Sequence, residues 1–110
     1  MKKELIVTDN REFNAIIENR KFWKNQHFII YIRKKRLDHP RFGIAVSKKI
    51  GNAVVRNKLK RQMRKIIVEN IKLFTIEYDY IIMVRKQSLI DGYHIMNESL
   101  KILLKEKEHK

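Results

Sequence analysis

Residues 42–65 read FGIAVSKKIGNAVVRNKLKRQMRK, and they join a predicted strand to a predicted helix. The run 41–47 contains one aromatic and two β-branched residues between polar ends, which is typical of a strand. Gly51 breaks this pattern, and Asn52 is a plausible N-cap for a helix over residues 53–70. An apolar stripe at helical spacing supports that helix: Val55, Leu59, Met63, Ile66 and Ile67.

The face of this helix opposite the stripe is strongly basic. At about 100° per residue its polar members fall on one arc, with Lys58 beside them: Arg56, Asn57, Lys60, Arg61, Arg64 and Lys65. No cation from Arg56 to Arg64 has an acidic residue three or four positions away, and the first acid downstream is Glu69. Like charges one turn apart destabilise a helix by roughly 0.2–0.5 kcal/mol per pair. A solvated face is the plain interpretation, but a row of phosphates would relieve the repulsion.

Composition points to the same kind of partner. The chain has 110 residues, with 26 Lys and Arg against 12 Asp and Glu, so its formal net charge is +14. This length predicts a single domain over residues 1–110. Such a surface favours a polyanion, with nucleic acid as the first candidate and an anionic membrane surface as the second. Because cysteine is absent, disulfides and Cys-based zinc sites are excluded.

The remaining elements are predicted from periodicity. Thr8 or Asp9 can cap a helix over residues 10–20. A strand over 27–33 pairs most economically with 41–47 as a hairpin, and an unalternating strand over 80–84 is expected to be central and buried on both faces. A last helix presents Ile95, Leu100, Leu103 and Leu104 on its apolar face. The order is αβββαβα if a short third strand lies near residues 42–50, and αββαβα otherwise.

No residue pattern indicates chemistry carried by the chain itself. The acidic residues are sparse, and there is no glycine-rich phosphate loop. The four histidines lack metal-ligand spacing, and each is expected in a turn or on the surface: His27, His39, His94 and His109. We therefore predict no catalytic residue and no metal ligand in this protein.

Residues 42–61 closely resemble the signature of the bacterial ribonuclease P protein family. That signature is a glycine-bearing strand ending in Ser-Lys-Lys, followed by an Arg-Asn-basic-x-basic-Arg helix. The resemblance continues, in the family's order, at residues 11–13, 28–31 and 78–86, so it covers nearly the whole chain. It implies an α/β (α+β) sandwich with a four-stranded mixed sheet, similar to one domain of a ribosomal protein. It also implies a left-handed βαβ crossover, whereas the general rule predicts a right-handed one.

The resemblance also implies a function. As a subunit of the ribonuclease P holoenzyme, the chain would promote endonucleolytic removal of the 5′ leader from precursor tRNA, while the RNA subunit carries the catalysis and holds the Mg²⁺ ions. One protein would bind one catalytic RNA in the cytoplasm, with no membrane contact. The residues implied for the catalytic RNA are Arg56, Asn57, Lys58, Lys60, Arg61, Arg64 and Lys65.

A cleft between the sheet and the first helix would hold the leader. Single-stranded RNA is bound by aromatic faces that stack on bases and by cations that meet phosphates. The resemblance implies that this cleft is formed by Phe13, Ile17, Tyr31, Lys48, Lys49, Asn52 and Arg56. Ile17 departs from the family pattern, which often has a second aromatic residue there.

Three alternatives stay open at this point. A ribosomal or general RNA-binding protein would share the charge and the basic helix but would enhance no cleavage. A protein-only nuclease would need a carboxylate such as Asp79. Binding to a membrane surface through the last helix is disfavoured because Glu106 and Glu108 interrupt its lysines.

Overall fold

The computed structural model describes residues 1–35 and 38–108, so Arg36, Leu37, His109 and Lys110 lie outside the described residues. Short 3₁₀ turns occur at Lys3–Leu5 and Ile71–Leu73. The helices are α1 Asn10–Glu18, α2 Ala53–Glu69, α3 Lys86–Asp91 and α4 Tyr93–Glu108. The strands are β1 Phe22–Lys24, β2 Phe28–Lys34, β3 Arg41–Val46 and β4 Tyr78–Val84.

The four strands form one mixed sheet in the order β1-β2-β4-β3, which confirms the predicted architecture. Strand β2 is antiparallel to both of its neighbours, and β3 runs parallel to β4. The predicted hairpin between residues 27–33 and 41–47 is wrong, because β4 lies between these strands. Four consecutive residues of β4, Asp79–Ile82, are buried, and only a central position covers both faces of such a strand.

The additional short strand is β1, and not a segment near residues 42–50. It pairs with β2 through the register Phe22↔Tyr31, Trp23↔Ile30 and Lys24↔Ile29. Arg20, with φ of 58°, is the only non-glycine residue with positive φ in the described chain, and it turns the backbone between α1 and β1. Three residues are too few for a periodic signal, so pairing with β2 defines this strand more than its own sequence does.

Helices α2 and α4 cover one face of the sheet and form the main core. The predicted stripe of α2 is confirmed, since Leu59, Met63, Ile66 and Ile67 are buried and Val55 packs against them. The predicted face of α4 is wrong in one position. Ile95 is 50% exposed, and the neighbouring Met96 is fully buried instead. Met96 lies four residues before Leu100, which continues the buried stripe.

Helix α1 covers only part of the other face. Its Ile16 packs with Val7 and with Ile81 of β4 in a second, smaller cluster. Asp9 caps the helix by accepting a hydrogen bond from Arg11 N at 2.7 Å, and Glu12 lies in the first turn, where it suits the positive end of the helix dipole. Beyond α1, a row of half-buried residues crosses three strands: Ala45, Met83 and Ile29.

A polar link joins the β1–β2 turn to α3 and α4. His27 lies in this turn, which is one of its two predicted positions, but it is not on the surface, because it is only 1% exposed. Its Nδ1 lies 2.7 Å from Ser99 Oγ, and its Nε2 lies 2.7 Å from Asp91 Oδ2. Asn25 Nδ2 also donates to Ser99 Oγ, at 2.9 Å. The hydrogen bond with His27 lowers the pKa of Asp91 below its ordinary value. Paired on both ring nitrogens, His27 can be buried without an orphaned polar atom.

Within the described ranges, no helix has both the length and the apolar content that crossing a bilayer requires.

We expect Ser99→Ala to destabilise the protein by about 1–3 kcal/mol, because it removes a shared partner of His27 and Asn25 in a buried site. Urea unfolding would measure this loss. Ser47→Ala is a matched control, since Ser47 is exposed and its hydroxyl accepts only a local hydrogen bond from Lys49 N. Its effect should stay within about 0.5 kcal/mol. Equal losses in the two variants would contradict the structural role of the link.

Candidate nucleic-acid interface

The basic face of α2 begins at a well-formed helix start. Asn52 Oδ1 accepts a hydrogen bond from Val55 N at 3.0 Å, which confirms the predicted N-cap. No acidic residue occupies the first turn. The positive end of the helix dipole is therefore not offset by a local carboxylate, and this end of α2 favours anions.

The cations of α2 project from the core into solvent. Arg56 and Lys60 are half-buried, whereas the other predicted members are exposed: Asn57, Lys58, Arg61, Arg64 and Lys65. Within the described residues, no salt bridge involves any cation of this helix. Lys65 instead lies 5.4 Å from the centre of the Tyr93 ring. The structure thus brings the seven predicted residues onto one face without compensating acids.

This face is not flat. A shallow depression along it is lined by Val54, Asn57, Lys60, Arg61 and Arg64. The side chain of Val54 is 76% exposed at this surface. Arg56 Nε is buried and has no hydrogen-bond partner among the described residues. A concave surface with free guanidinium groups suits the backbone of a polyanion, because these groups can meet two phosphate oxygens at once.

The predicted aromatic residues meet on the opposite face of the sheet. Phe13 and Ile17 of α1 and Tyr31 of β2 all pack against the buried cluster that contains Ile81. Gly43 permits the close approach of Phe13, because a Cβ at this position would lie 2.7 Å from Phe13 Cε2 and 2.6 Å from Ile81 Cδ1. We call the surface between α1 and the sheet, which is formed by the half-buried side chains of Phe13, Ile17, Tyr31 and Met83, the α1 cleft.

The predicted polar residues of the cleft lie together at the junction between β3 and α2. Lys48 and Lys49 are exposed there, Asn52 serves as the cap, and Arg56 follows one turn into the helix. Ala45, on the cleft face of β3, is in register with Met83, which packs against the same buried cluster as Phe13 and Tyr31. No described hydrogen bond or ion pair joins the junction residues to Phe13, Ile17 or Tyr31. The junction residues and the apolar cleft residues are therefore connected only through the neighbouring strands β3 and β4, and not by direct polar contacts.

A buried ion cluster closes one end of the cleft. Arg41 donates from Nε to Asp79 Oδ1 at 2.9 Å and from Nη2 to Asp79 Oδ2 at 2.8 Å, so the pair is bidentate. Arg33 Nη2 lies 3.3 Å from the same carboxylate, and Lys35 also contacts it. Glu12 of α1 contacts Arg41. Because Asp79 is fully buried in β4, the cluster fastens the start of α1 to the sheet.

The ionisation of this cluster follows from its contacts. Burial raises the pKa of Asp79, but the hydrogen bonds from Arg41 and Lys35 outweigh burial and leave that pKa below its ordinary value. Hydrogen bonds to Asp79 and Glu12 raise the pKa of Arg41. Burial lowers the pKa of Lys35, and its contact with Asp79 offsets only part of this effect. The carboxylate of Asp79 is therefore ionised at neutral pH.

Sequence reasoning missed two parts of this region. The first is the ion cluster, whose members are spread over residues 12–79; the only local signal is Asp79, an acid inside an apolar strand. The second is Phe22, which stands opposite Tyr31 in the β1–β2 register with their ring centres 5.6 Å apart. The sequence Phe22–Trp23–Lys24 could have suggested a strand with one aromatic residue on each face.

No group of three or more His, Asp or Glu side chains among the described residues could hold a metal ion. The Asp79 carboxylate forms salt bridges with Arg33 and Arg41. The Asp91 carboxylate forms hydrogen bonds with His27 and Gln87.

Comparison with known proteins identifies the class of protein to which this fold and this surface belong. The family model described as Ribonuclease P matches residues 1–108. The chain is 47% identical over 107 residues to the ribonuclease P protein component of Mycoplasma mycoides, covering 96% of this chain and 98% of that protein. It is 37% identical over 105 residues to the corresponding protein of Streptococcus agalactiae, covering 96% and 95%.

Solved structures of bacterial ribonuclease P proteins have the same fold. A Staphylococcus aureus RNase P protein mutant with defective mRNA degradation activity superposes with a TM-score of 0.87 at 31% identity, covering 96% of this chain and 90% of that one. The RNase P protein from Thermotoga maritima superposes with a TM-score of 0.79 at 33% identity, covering 87% and 91%. The chain belongs to the ribonuclease P protein family, as its sequence signature predicts.

We expect Asp79→Asn to destabilise the protein by about 3–5 kcal/mol, because it leaves buried cations without their counter-charge. The native contribution is present above the unfolded pKa of about 3.9 and is lost as pH falls through the lower folded pKa. Urea unfolding between about pH 5 and 3 should therefore show a steeper loss of stability in the native protein than in the variant.

Glu98→Gln is the control for this prediction, because Glu98 pairs with Lys101 on the surface. It should change stability by less than about 1 kcal/mol and leave the pH dependence unaltered. If Asp79→Asn behaved like this control, the ion cluster would not be a stabilising element.

Proposed function

We propose that this chain is the protein subunit of a ribonuclease P ribonucleoprotein. The basic face of α2 binds the catalytic RNA, and the α1 cleft binds the single-stranded 5′ leader of precursor tRNA. One protein acts with one RNA subunit, and together they remove the leader endonucleolytically to give the mature tRNA 5′ end. The observation that carries this proposal is the uncompensated basic face of α2 in a chain of this family.

The basic face supports binding to a folded RNA. Its cations project from one helix whose opposite stripe is buried, so the backbone positions from which they extend are fixed before binding. Only side-chain freedom, and no backbone freedom, is then lost when these groups meet phosphates. Most of the affinity would come from the release of counterions, and it should therefore fall steeply with salt.

The α1 cleft supports binding to an unpaired strand. Phe13 and Tyr31 are half-buried, so each ring is held by the cluster but keeps an exposed part. Stacking on aromatic rings is worth about 1–3 kcal/mol per base, and it requires little specificity for the base sequence. Lys48 and Lys49 are exposed at the rim of the cleft, where they can meet the phosphates of a strand whose bases face the sheet. Ile17 contributes apolar contact without a ring.

The protein's own contribution is binding and orientation. By holding the leader beside the RNA subunit, it raises affinity for the precursor over the mature tRNA and screens repulsion between the two RNAs. Mg²⁺, held mainly by the RNA subunit, would supply the activation of water. The described side chains offer no cluster of ligands that fits a resident ion, so no step is assigned to such an ion in this chain.

Reconstitution tests the proposal directly. Adding the purified protein to a bacterial ribonuclease P RNA and a precursor tRNA at low Mg²⁺ should enhance cleavage at the mature 5′ end. A general RNA-binding protein would bind without placing the cut, and a protein-only nuclease would cut without the RNA. Either of those results would overturn the proposal.

Replacing both Arg61 and Arg64 by Ala should weaken association with the RNA subunit by at least about tenfold, because two exposed guanidinium groups are removed. The slope of log affinity against log salt should become shallower by roughly one to two. Circular dichroism should be unchanged, since neither side chain faces the core.

The matched control replaces Lys105 and Lys107 by Ala, which removes the same charge from the exposed surface of α4. Its loss of affinity should be much smaller. Equal losses in the two double variants would show that net charge, and not the face of α2, determines binding.

A further inference from the structure

Phe22 stands apart from the other aromatic residues. The protein has ten Phe, Tyr and Trp residues, all within the described chain, and Phe22 is the only exposed one, at 48%. The other nine are buried or half-buried. Phe22 belongs to neither apolar cluster, although the next residue, Trp23, packs against the main core. The fold therefore anchors β1 through Trp23 and leaves Phe22 uncovered.

Strand register places Phe22 on the cleft face of the sheet. Successive side chains of a strand point to opposite faces, so Phe22 lies on the face opposite Trp23. The register aligns Phe22 with Tyr31, Tyr31 with Ile81 and Ile81 with Gly43, in one row across all four strands. Phe13 covers the Gly43 end of this row, and Phe22 occupies the other end. The row thus carries aromatic rings from the middle of the cleft to the sheet edge.

The strands around Phe22 carry no acidic residue. Every charged residue of β1 and β2 is a cation: Lys24, Arg33 and Lys34. Arg33 is paired with Asp79, and Lys24 borders a pocket that Glu98 and Glu106 of α4 also line. A phosphate-bearing strand would therefore meet no carboxylate on β1 or β2, and the exposed ring of Phe22 offers a base a surface on which to stack with little sequence preference.

We propose that Phe22 is a stacking platform for a base of the single-stranded leader. The inference rests on the proposed function and extends it, because it lengthens the leader track beyond Tyr31 to the β1 edge. Phe13, Tyr31 and Phe22 form three successive ring positions. A leader that is too short to reach β1 cannot stack on Phe22, so Phe22 adds nothing to its affinity.

The test measures the affinity of the assembled holoenzyme for precursor tRNAs that carry leaders of increasing length. With the native protein, the affinity for precursor tRNA should increase as the leader reaches Phe13 and Tyr31, and it should increase further once the leader reaches Phe22. In Phe22→Ala this last rise should disappear, which leaves long-leader precursors bound about fivefold more weakly. Precursors with the shortest leaders, and the RNA subunit itself, should bind as in the native protein.

Abasic nucleotides then locate the contact. Each leader base is removed in turn, and native and Phe22→Ala holoenzymes are compared. At one distal position, base removal should weaken binding to the native protein but leave binding to Phe22→Ala unchanged, because the ring and its base act as a pair. Base removal at nearer positions should weaken both proteins equally.

Conservative variants separate stacking from packing. Phe22→Tyr keeps the ring and should bind as the native protein does, whereas Phe22→Leu keeps apolar bulk without a ring and should behave like Phe22→Ala. Ile76→Ala is the matched surface control, since Ile76 is 54% exposed and lies outside the cleft. It should not alter leader dependence. Thermal unfolding of each variant verifies that the fold is intact.

The outcomes distinguish this inference from the proposed function. If leader length no longer affects affinity in Phe13→Ala but affects it fully in Phe22→Ala, then Phe22 is not a stacking platform and the proposed function stands. If neither protein variant nor leader length changes affinity, the leader-binding function itself fails. If Phe22→Ala changes only the oligomeric state of the free protein, the exposed ring serves protein contact and the inference is overturned.

Discussion

The burial of β4 on both faces is the constraint on which the rest of the structure depends. Tyr80 and Ile82 point to one face of the sheet and Asp79 and Ile81 to the other, and all four side chains are fully buried. Such a strand needs a neighbour on each side and a layer on each face. Helices α2 and α4 supply a complete layer on one face. On the other face, α1 supplies only a partial layer, and the uncovered remainder is the α1 cleft.

The two proposed RNA surfaces are consequences of this asymmetry. Strand β3 is parallel to β4, so the chain must cross from one end of the sheet to the other, and α2 makes this crossover with its polar face outward. The same junction ends β3 beside the cleft, where Lys48 and Lys49 stand. At the opposite end, the pairing of Arg41 with Asp79 fastens α1 through Glu12. The two proposed surfaces meet at the β3 edge, where Lys60 and Arg64 of α2 line one pocket with Phe13.

Local signals in the sequence predicted α2 well. The Asn52 cap, the buried stripe and the basic face all lie within twenty residues, where helical spacing determines which side chains share a face. Strand pairing was predicted poorly because it is not local. The hairpin expected between β2 and β3 does not form, because β4, which begins only at Tyr78, lies between these two strands in the sheet. The ion cluster, buried His27 and Phe22 also depend on contacts between distant segments. The error at Ile95 is smaller: Met96, one residue later, is buried in its place.

We propose that the α1 cleft recognises the leader independently of the contacts that the basic face of α2 makes with the catalytic RNA. The most direct measurement compares the affinity of the assembled holoenzyme for leader-bearing and leaderless tRNA, in the native protein and in Phe13→Ala, with the protein saturating the RNA subunit. We expect Phe13→Ala to weaken binding of the leader-bearing tRNA by about fivefold or more and to leave binding of the leaderless tRNA unaffected. Equal weakening of both tRNAs would contradict it.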